Sequence, residues 1–164
     1  MKLKNMLYVA LSAVFIAVCS WIIIPLPIPV SMQTFAIFLL LFVFGGKSTF
    51  FSALLYILLG FMGAPVFAGF RGGISVLFSN TGGYLPGFLL STVIYMLFSS
   101  VNRESKHARI LSALAGLLIC YVCGLLWYMG INSLMTFEGF KASFVICIMP
   151  FIIPDILKLL LAFS

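Results

Sequence analysis

Apolar residues dominate this chain in six long runs, broken by short segments rich in glycine, proline or charge. The runs lie near Met6 to Ile24, Met32 to Phe44, Thr49 to Met62, Tyr84 to Phe98, Ile110 to Gly130 and Ser143 to Phe163, with Pro150 and Pro154 interrupting the last. A helix needs about 20 predominantly apolar residues to cross a hydrocarbon layer of about 30 Å. The pattern therefore predicts an all-α polytopic membrane protein of six transmembrane helices, forming one domain over residues 1–164. The second and third runs are short. The first begins like a signal peptide, but its apolar run is long, ends at Pro25 and lacks a small-residue cleavage site, so it reads as a retained span.

Composition agrees, with 64% of residues apolar, 7% charged and a mean hydropathy of +1.30. No water-soluble fold hides that much apolar surface. Six crossings put both termini on one side. Cytoplasmic segments carry the excess of Lys and Arg, and Lys2, Lys4, Lys47, Arg103, Lys106 and Arg109 fall on one face, against Arg71 and Lys141 on the other. Both termini are therefore expected in the cytoplasm of a cell-membrane protein surrounded by lipid. The pI near 9.4 reports this topology. Nucleic-acid binding is not expected, because nine basic residues distributed around six spans make no solvated basic surface.

Several motifs carry no chemistry. Cys19, Cys120, Cys123 and Cys147 all sit in apolar runs, where thiols behave as small buried hydrophobes, and the CxxC spacing of Cys120 and Cys123 has no second pair or histidine cluster, so no metal is expected. Gly45-Gly46-Lys47-Ser48-Thr49 resembles the end of a phosphate-binding loop, but Leu41 occupies the place of the required first glycine. It reads as a cytoplasmic turn, and any ATP must be hydrolysed by another chain. His107 lies in a basic loop beside Glu104 without a catalytic constellation. A Ser–Lys dyad around Lys158 is formally open, but no enzyme activity or cofactor is expected.

Two segments stand out. Residues 60–87, GFMGAPVFAGFRGGISVLFSNTGGYLPG, are dense in glycine. Irregular backbone at membrane depth is tolerated only when buried in protein or lining a cavity, so this segment predicts a folded extracellular loop over a ligand pocket. It supplies Phe67, Phe70, Phe78 and Tyr84, hydrogen-bonding groups at Ser79, Asn80 and Thr81, and one cation, Arg71. A purely structural re-entrant loop is the alternative. In the last run, Asp155 and Lys158 are three residues apart and share a helix face. Each such charge at the bilayer centre costs about 2.5–3.5 kcal/mol on insertion scales, which marks a ligand site or, equally, a structural ion pair. On the first run, Ala13 and Ala17 form a small-xxx-small face.

The motifs VFAGFRGG and NTGGYLPGF, the later PF with an Asp and a Lys three apart, and PLPIPVSMQTF after the first span together resemble the BioY family over nearly the whole chain. These are the biotin-binding S components of energy-coupling factor importers. The resemblance implies that the chain captures biotin outside the cell and joins a transmembrane coupling protein (T component) and two cytoplasmic ATPases. It implies ligand-binding roles for Asp155, at the ureido N–H groups, and Lys158, at the carboxylate. Given biotin's chemistry, Asn80 is expected to offer an amide to the ureido group, Tyr84 to pack or hydrogen-bond nearby, and Arg71 to attract or hold the anionic tail. By the same resemblance Ala13 and Ala17 would meet the coupling protein. An S component for another vitamin, or a structural or assembly subunit, is the competing reading. Two local departures stand out: Asn80 replaces a proline before Thr-Gly-Gly, and Ile153-Pro154 replaces Pro-Gly before the aspartate. The helix after Pro154 spans only about 16 Å, so either the run upstream of Pro150 contributes to a full crossing through a kink or the chain is shortened.

Overall fold

A computed structural model describes residues 3–99 and 106–163. Lys2, Arg103 and Glu104 of the charge pattern lie outside the described residues. The elements run α1 (Leu3–Trp21), β1 (Ile23–Ile24), β2 (Val30–Ser31), α2 (Gln33–Phe61), a 3-10 turn (Ile74–Val76), α3 (Tyr84–Ser99), α4 (Lys106–Ile131), α5 (Phe137–Cys147) and α6 (Met149–Phe163). This is a multi-pass, helical membrane protein. Its buried faces meet in one core, and large apolar side chains such as Leu11, Leu118 and Leu160 cover the outside, as a lipid solvent requires.

α2 is not one rod. Gly45 takes φ 77° and ψ 170°, outside the helical region, a conformation that glycine adopts without the Cβ penalty of other residues. Gln33 Nε2 donates to the Tyr56 hydroxyl, yet in a straight helix those residues would stand about 34 Å apart. The chain therefore reverses at Gly45, and residues 33–44 and 46–61 pack as an antiparallel pair. The two apolar runs expected on either side of the Gly45–Ser48 turn are present, but the reversal takes a single residue. Thr49 Oγ1 donates to the Gly45 carbonyl at 2.9 Å, satisfying an acceptor at the break.

α3 and α4 pack backbone to backbone, and glycine makes it possible. A Cβ at Gly87 would lie 3.1 Å from the Cys120 Cα, and one at Gly116 would lie 2.8 Å from the Ser91 carbonyl oxygen. Small residues at four-residue spacing on both helices thus let the backbones touch, the usual route to helix association in lipid. At the other end of the chain, α5 and α6 form one bent unit. Ile148, with φ −122° and ψ −51°, separates them, and the joined segment Phe137–Phe163 is 27 residues long and contains an 18-residue stretch of mean hydropathy 2.3. That is long enough to cross a membrane. The expected upstream contribution is present, with the break at Ile148 and Pro154 carried inside α6.

The start of α1 and the end of α6 lie at the same end of the bundle. Tyr8 of α1 stacks on Phe44, with ring centroids 5.4 Å apart. The Arg109 guanidinium lies over Phe42 at 5.6 Å and over Phe163 at 6.0 Å. The Gly45 reversal, the start of α4 and the end of α6 are thereby gathered together, and Lys47 and Arg109 are at this end. The glycine-rich loop, with Arg71, closes the opposite one.

Candidate functional site

On α6 the buried positions Phe151, Asp155, Lys158 and Ala162 follow helical spacing and face inward. Asp155 is fully buried, and its Oδ1 lies 2.7 Å from Lys158 Nζ. A charge pair in such surroundings persists only when its remaining hydrogen-bonding capacity is also met, and here three other elements supply partners. Thr34 Oγ1 of α2 donates to Asp155 Oδ1 at 2.7 Å, and the Tyr121 hydroxyl of α4 donates to Oδ2 at 2.8 Å. Lys158 donates to Asp155 Oδ1 at 2.7 Å, to the Ser31 carbonyl of β2 at 2.7 Å and to Thr34 Oγ1 at 3.1 Å. An ammonium has three hydrogens, so all three are engaged. The carboxylate, with about four acceptor positions, retains capacity.

Asp155 also forms part of the wall of a cavity of about 50 Å³. Its sides are apolar and largely aromatic: Ile28, Phe67, Val76, Leu85, Phe88 and Phe151, with the rings of Tyr84 and Tyr121. Ser31, Gln33, Thr34 and Thr81 add polar groups, and Arg71 stands at the exposed rim. Lys158 does not line the cavity. A closed polar end, apolar walls and a cationic rim suit an elongated small molecule with a polar head, an apolar middle and an anionic tail.

The glycine-rich loop forms one wall, as its composition leads one to expect. Phe67 N donates to the Arg71 carbonyl at 2.9 Å, which closes a tight turn through Gly69 (φ 72°) and Phe70 (φ 57°). The Phe67 ring then reaches inward over Gly60, where a Cβ would lie 2.1 Å from it, and meets Tyr56 edge-on at 5.5 Å. The proline-rich segment after α1 forms the facing wall. It folds back on itself with Ile23 opposite Ser31 and Ile24 opposite Val30, delivering Ile28, Pro29 and Ser31 to the cavity.

The residues singled out from the sequence do not all converge. Asp155, Tyr84 and Arg71 line the cavity. The Tyr84 hydroxyl donates to the Cys147 carbonyl at 2.7 Å, where the end of α5 leaves an acceptor without a helical donor. Arg71 donates from Nε to the Ala68 carbonyl at 3.0 Å and from one terminal nitrogen to Thr81 Oγ1 at 3.4 Å. Asn80 is elsewhere: its Oδ1 accepts from Asn132 Nδ2 at 3.1 Å, tying the loop to the end of α4. The 2.7 Å pairing of Lys158 with Asp155 sets both groups at one end of the cavity, which does not support dividing them between the two ends of a ligand.

Ala13 and Ala17 are 2% and 6% exposed, so in this conformation their small side chains lie within the packed core of the chain. Cys19, Cys120 and Cys147 are buried, as expected of small hydrophobes, and Cys123 is half-buried.

Sequence reasoning missed Ser31, Gln33, Thr34 and Tyr121. The available signal was a group of polar residues at the start of one apolar run and a tyrosine in the middle of another.

The BioY family model matches residues 1–164. The chain is 38% identical over 159 residues to the probable biotin transporter BioY of Pyrococcus horikoshii, covering 96% of this chain and 91% of that protein. It is 38% identical over 162 residues to biotin transporter BioY2 of Lactococcus lactis subsp. cremoris, covering 98% and 86%. For biotin transporter BioY of Thermotoga maritima the values are 34% over 162 residues, covering 98% and 92%. The solved structure of the S-component for biotin from an ECF-type ABC transporter matches with a TM-score of 0.84 at 22% identity, over 99% of this chain and 88% of that one. That likeness establishes the shared fold.

Proposed function

Because the chain belongs to the BioY family, we propose that it captures biotin at the outer face of the membrane as the substrate-binding component of an energy-coupling factor importer. The observation that carries this reading is a fully buried carboxylate, Asp155, at the polar end of an aromatic-walled cavity in a membrane-spanning chain. Such a group is costly to place in lipid. Here it is balanced by Lys158 and still has accepting capacity for a ligand.

Biotin fits the arrangement group by group. Its ureido ring presents N–H donors, one of which the remaining acceptor position of Asp155 takes strongly, so this end lies against Asp155. The apolar thiophane ring packs among Phe67, Phe88, Phe151 and the Tyr84 ring. The valerate tail then extends to the rim, where Arg71 meets the carboxylate. Lys158 stays with the ureido end as the counter-ion that keeps Asp155 ionised and aimed. Asn80 braces the loop from outside. The cavity is far smaller than an occupied small-molecule site, so biotin enters by displacing the glycine-rich wall.

Binding of this kind needs no cofactor on the chain. A transmembrane coupling protein and two cytoplasmic ATPases complete the importer and hydrolyse ATP. Both termini are assigned to the cytoplasm, an orientation supported by Lys47 and Arg109 sharing the end of the bundle that holds them. The ligand loop then faces outward.

The test is equilibrium titration of biotin into the detergent-purified chain without ATP, with desthiobiotin, biotin methyl ester, thiamine and riboflavin as competitors. Saturable one-site binding is expected, with biotin and desthiobiotin ahead of the ester and the other two vitamins without effect. Folded protein that ignores biotin would overturn the reading, and binding of thiamine or riboflavin instead would reassign the vitamin.

A further inference from the structure

Biotin's ureido group has a carbonyl as well as two N–H groups, and the residues around Asp155 leave open which of them donates to it. The side-chain donors near the closed end of the cavity can be followed one by one. The hydroxyls of Thr34 and Tyr121 point their hydrogens at Asp155. The Tyr84 hydroxyl is committed to the Cys147 carbonyl and the Ser31 hydroxyl to Gln33 Oε1, at 2.7 Å each. All three hydrogens of Lys158 are engaged. Arg71 has free N–H groups but lies at the exposed rim.

Gln33 differs. It is buried, lines the cavity next to Thr34, and its amide carries two hydrogens on Nε2. Its orientation follows from its neighbours. Gln33 Nε2 donates to the Tyr56 hydroxyl, and the Ser31 hydroxyl donates to Oε1. One Nε2 hydrogen serves Tyr56, and the other has no acceptor among the described residues. A buried amide hydrogen without an acceptor is costly, and the cavity is the space beside it.

We infer that Gln33 is a specificity-determining residue whose free Nε2 hydrogen donates to the ureido carbonyl of biotin. The inference rests on the cavity being the biotin site. Asp155 reads an N–H group and Gln33 reads the oxygen, so the pair together distinguishes a cyclic urea from rings that lack either function. Ser31 and Tyr56 act as positioning residues that hold the amide with its donor inward.

The experiment compares biotin with 2′-thiobiotin, which keeps both N–H groups but replaces the carbonyl oxygen with sulfur, a weak acceptor. Binding of both ligands is measured for wild-type protein, Gln33→Met and Gln33→Glu, each shown to be folded by its thermal unfolding profile. Gln33→Met has similar length and no amide; Gln33→Glu keeps the shape and the acceptors but offers no N–H. Wild-type protein should prefer biotin by on the order of tenfold or more, the loss expected when a buried donor is left unmet. In both variants biotin should weaken by a similar factor and the preference should collapse toward one. Tyr56→Phe, which keeps the Gln33 amide but removes the hydroxyl that holds it, should reduce the preference by less than either Gln33 variant.

The ratio separates recognition from general damage, since a loosened cavity weakens both ligands alike. An unchanged biotin to thiobiotin ratio in whichever Gln33 variant folds would overturn the assignment. Absence of biotin binding by wild-type protein would instead overturn the proposed function on which it rests.

Discussion

Replacing Lys158 by methionine keeps an unbranched apolar stem and deletes the ammonium. The Asp155 carboxylate would keep Thr34 and Tyr121 as donors but lose its counter-ion, and the Ser31 carbonyl would lose a donor. Breaking a buried pair by removing one partner costs about 3–5 kcal/mol. For a chain of this size each kcal/mol moves the melting temperature by about 2–4 °C, so Lys158→Met should melt roughly 6–20 °C below wild type. Adding Asp155→Asn removes the stranded charge. Because replacing both members of a buried pair is often close to neutral, the double variant should recover much of the lost stability. Its biotin binding should stay lost, since an amide replaces the anionic acceptor. The assay is thermal unfolding of detergent-purified wild type, both single variants and the double variant, with biotin titrations alongside. A Lys158→Met protein that melts within about 2 °C of wild type, or a double variant no more stable than Lys158→Met, would refute the view of the pair as one electrostatic unit.

Two further outcomes are expected. Arg71→Ala should weaken biotin by at most about fivefold, the scale of an exposed ion pair, with the effect shrinking at high salt and absent for biotin methyl ester; equal losses for acid and ester would mean that Arg71 acts through loop shape, by way of Ala68 and Thr81. Ala13→Leu should lower stability by about 1–3 kcal/mol through overpacking of α1 against α2, seen as a reduced melting temperature, whereas Leu11→Ala on the exposed face should leave the fold intact. An unshifted melting temperature in Ala13→Leu would mean that the α1–α2 contact yields easily.

What could be read from the sequence was what is expensive in lipid. Asp155 and Lys158 were legible because charges in an apolar run require a reason, and their spacing already placed them on one helical face. The glycine-rich segment was legible because such a backbone cannot be a plain helix at membrane depth. The partners were not legible. Thr34 and Tyr121 are ordinary polar residues in their own runs, and become donors to Asp155 only because α2 and α4 pack around α6, across separations of 121 and 34 residues. Asn80 shows the converse. Its place in a distinctive motif suggested ligand contact, whereas the loop turns it toward Asn132. Small residues at four-residue spacing occur at Ala13 and Ala17, and also at Gly87 and Ser91 facing Gly116 and Cys120. Spacing alone does not say which pair meets its own chain and which is left for another.

The single-residue reversal at Gly45 bears on how the protein is made. The two arms of α2, residues 33–44 and 46–61, measure roughly 18 and 24 Å, each short of the hydrocarbon thickness. An arm leaving the insertion machinery alone would be a poor transmembrane segment, and Gln33 would enter lipid without Tyr56. The arms therefore partition together as a hairpin, with Lys47 at its tip. Membrane integration of this stretch is then an all-or-none event in which a glycine decides whether the nascent chain turns in time.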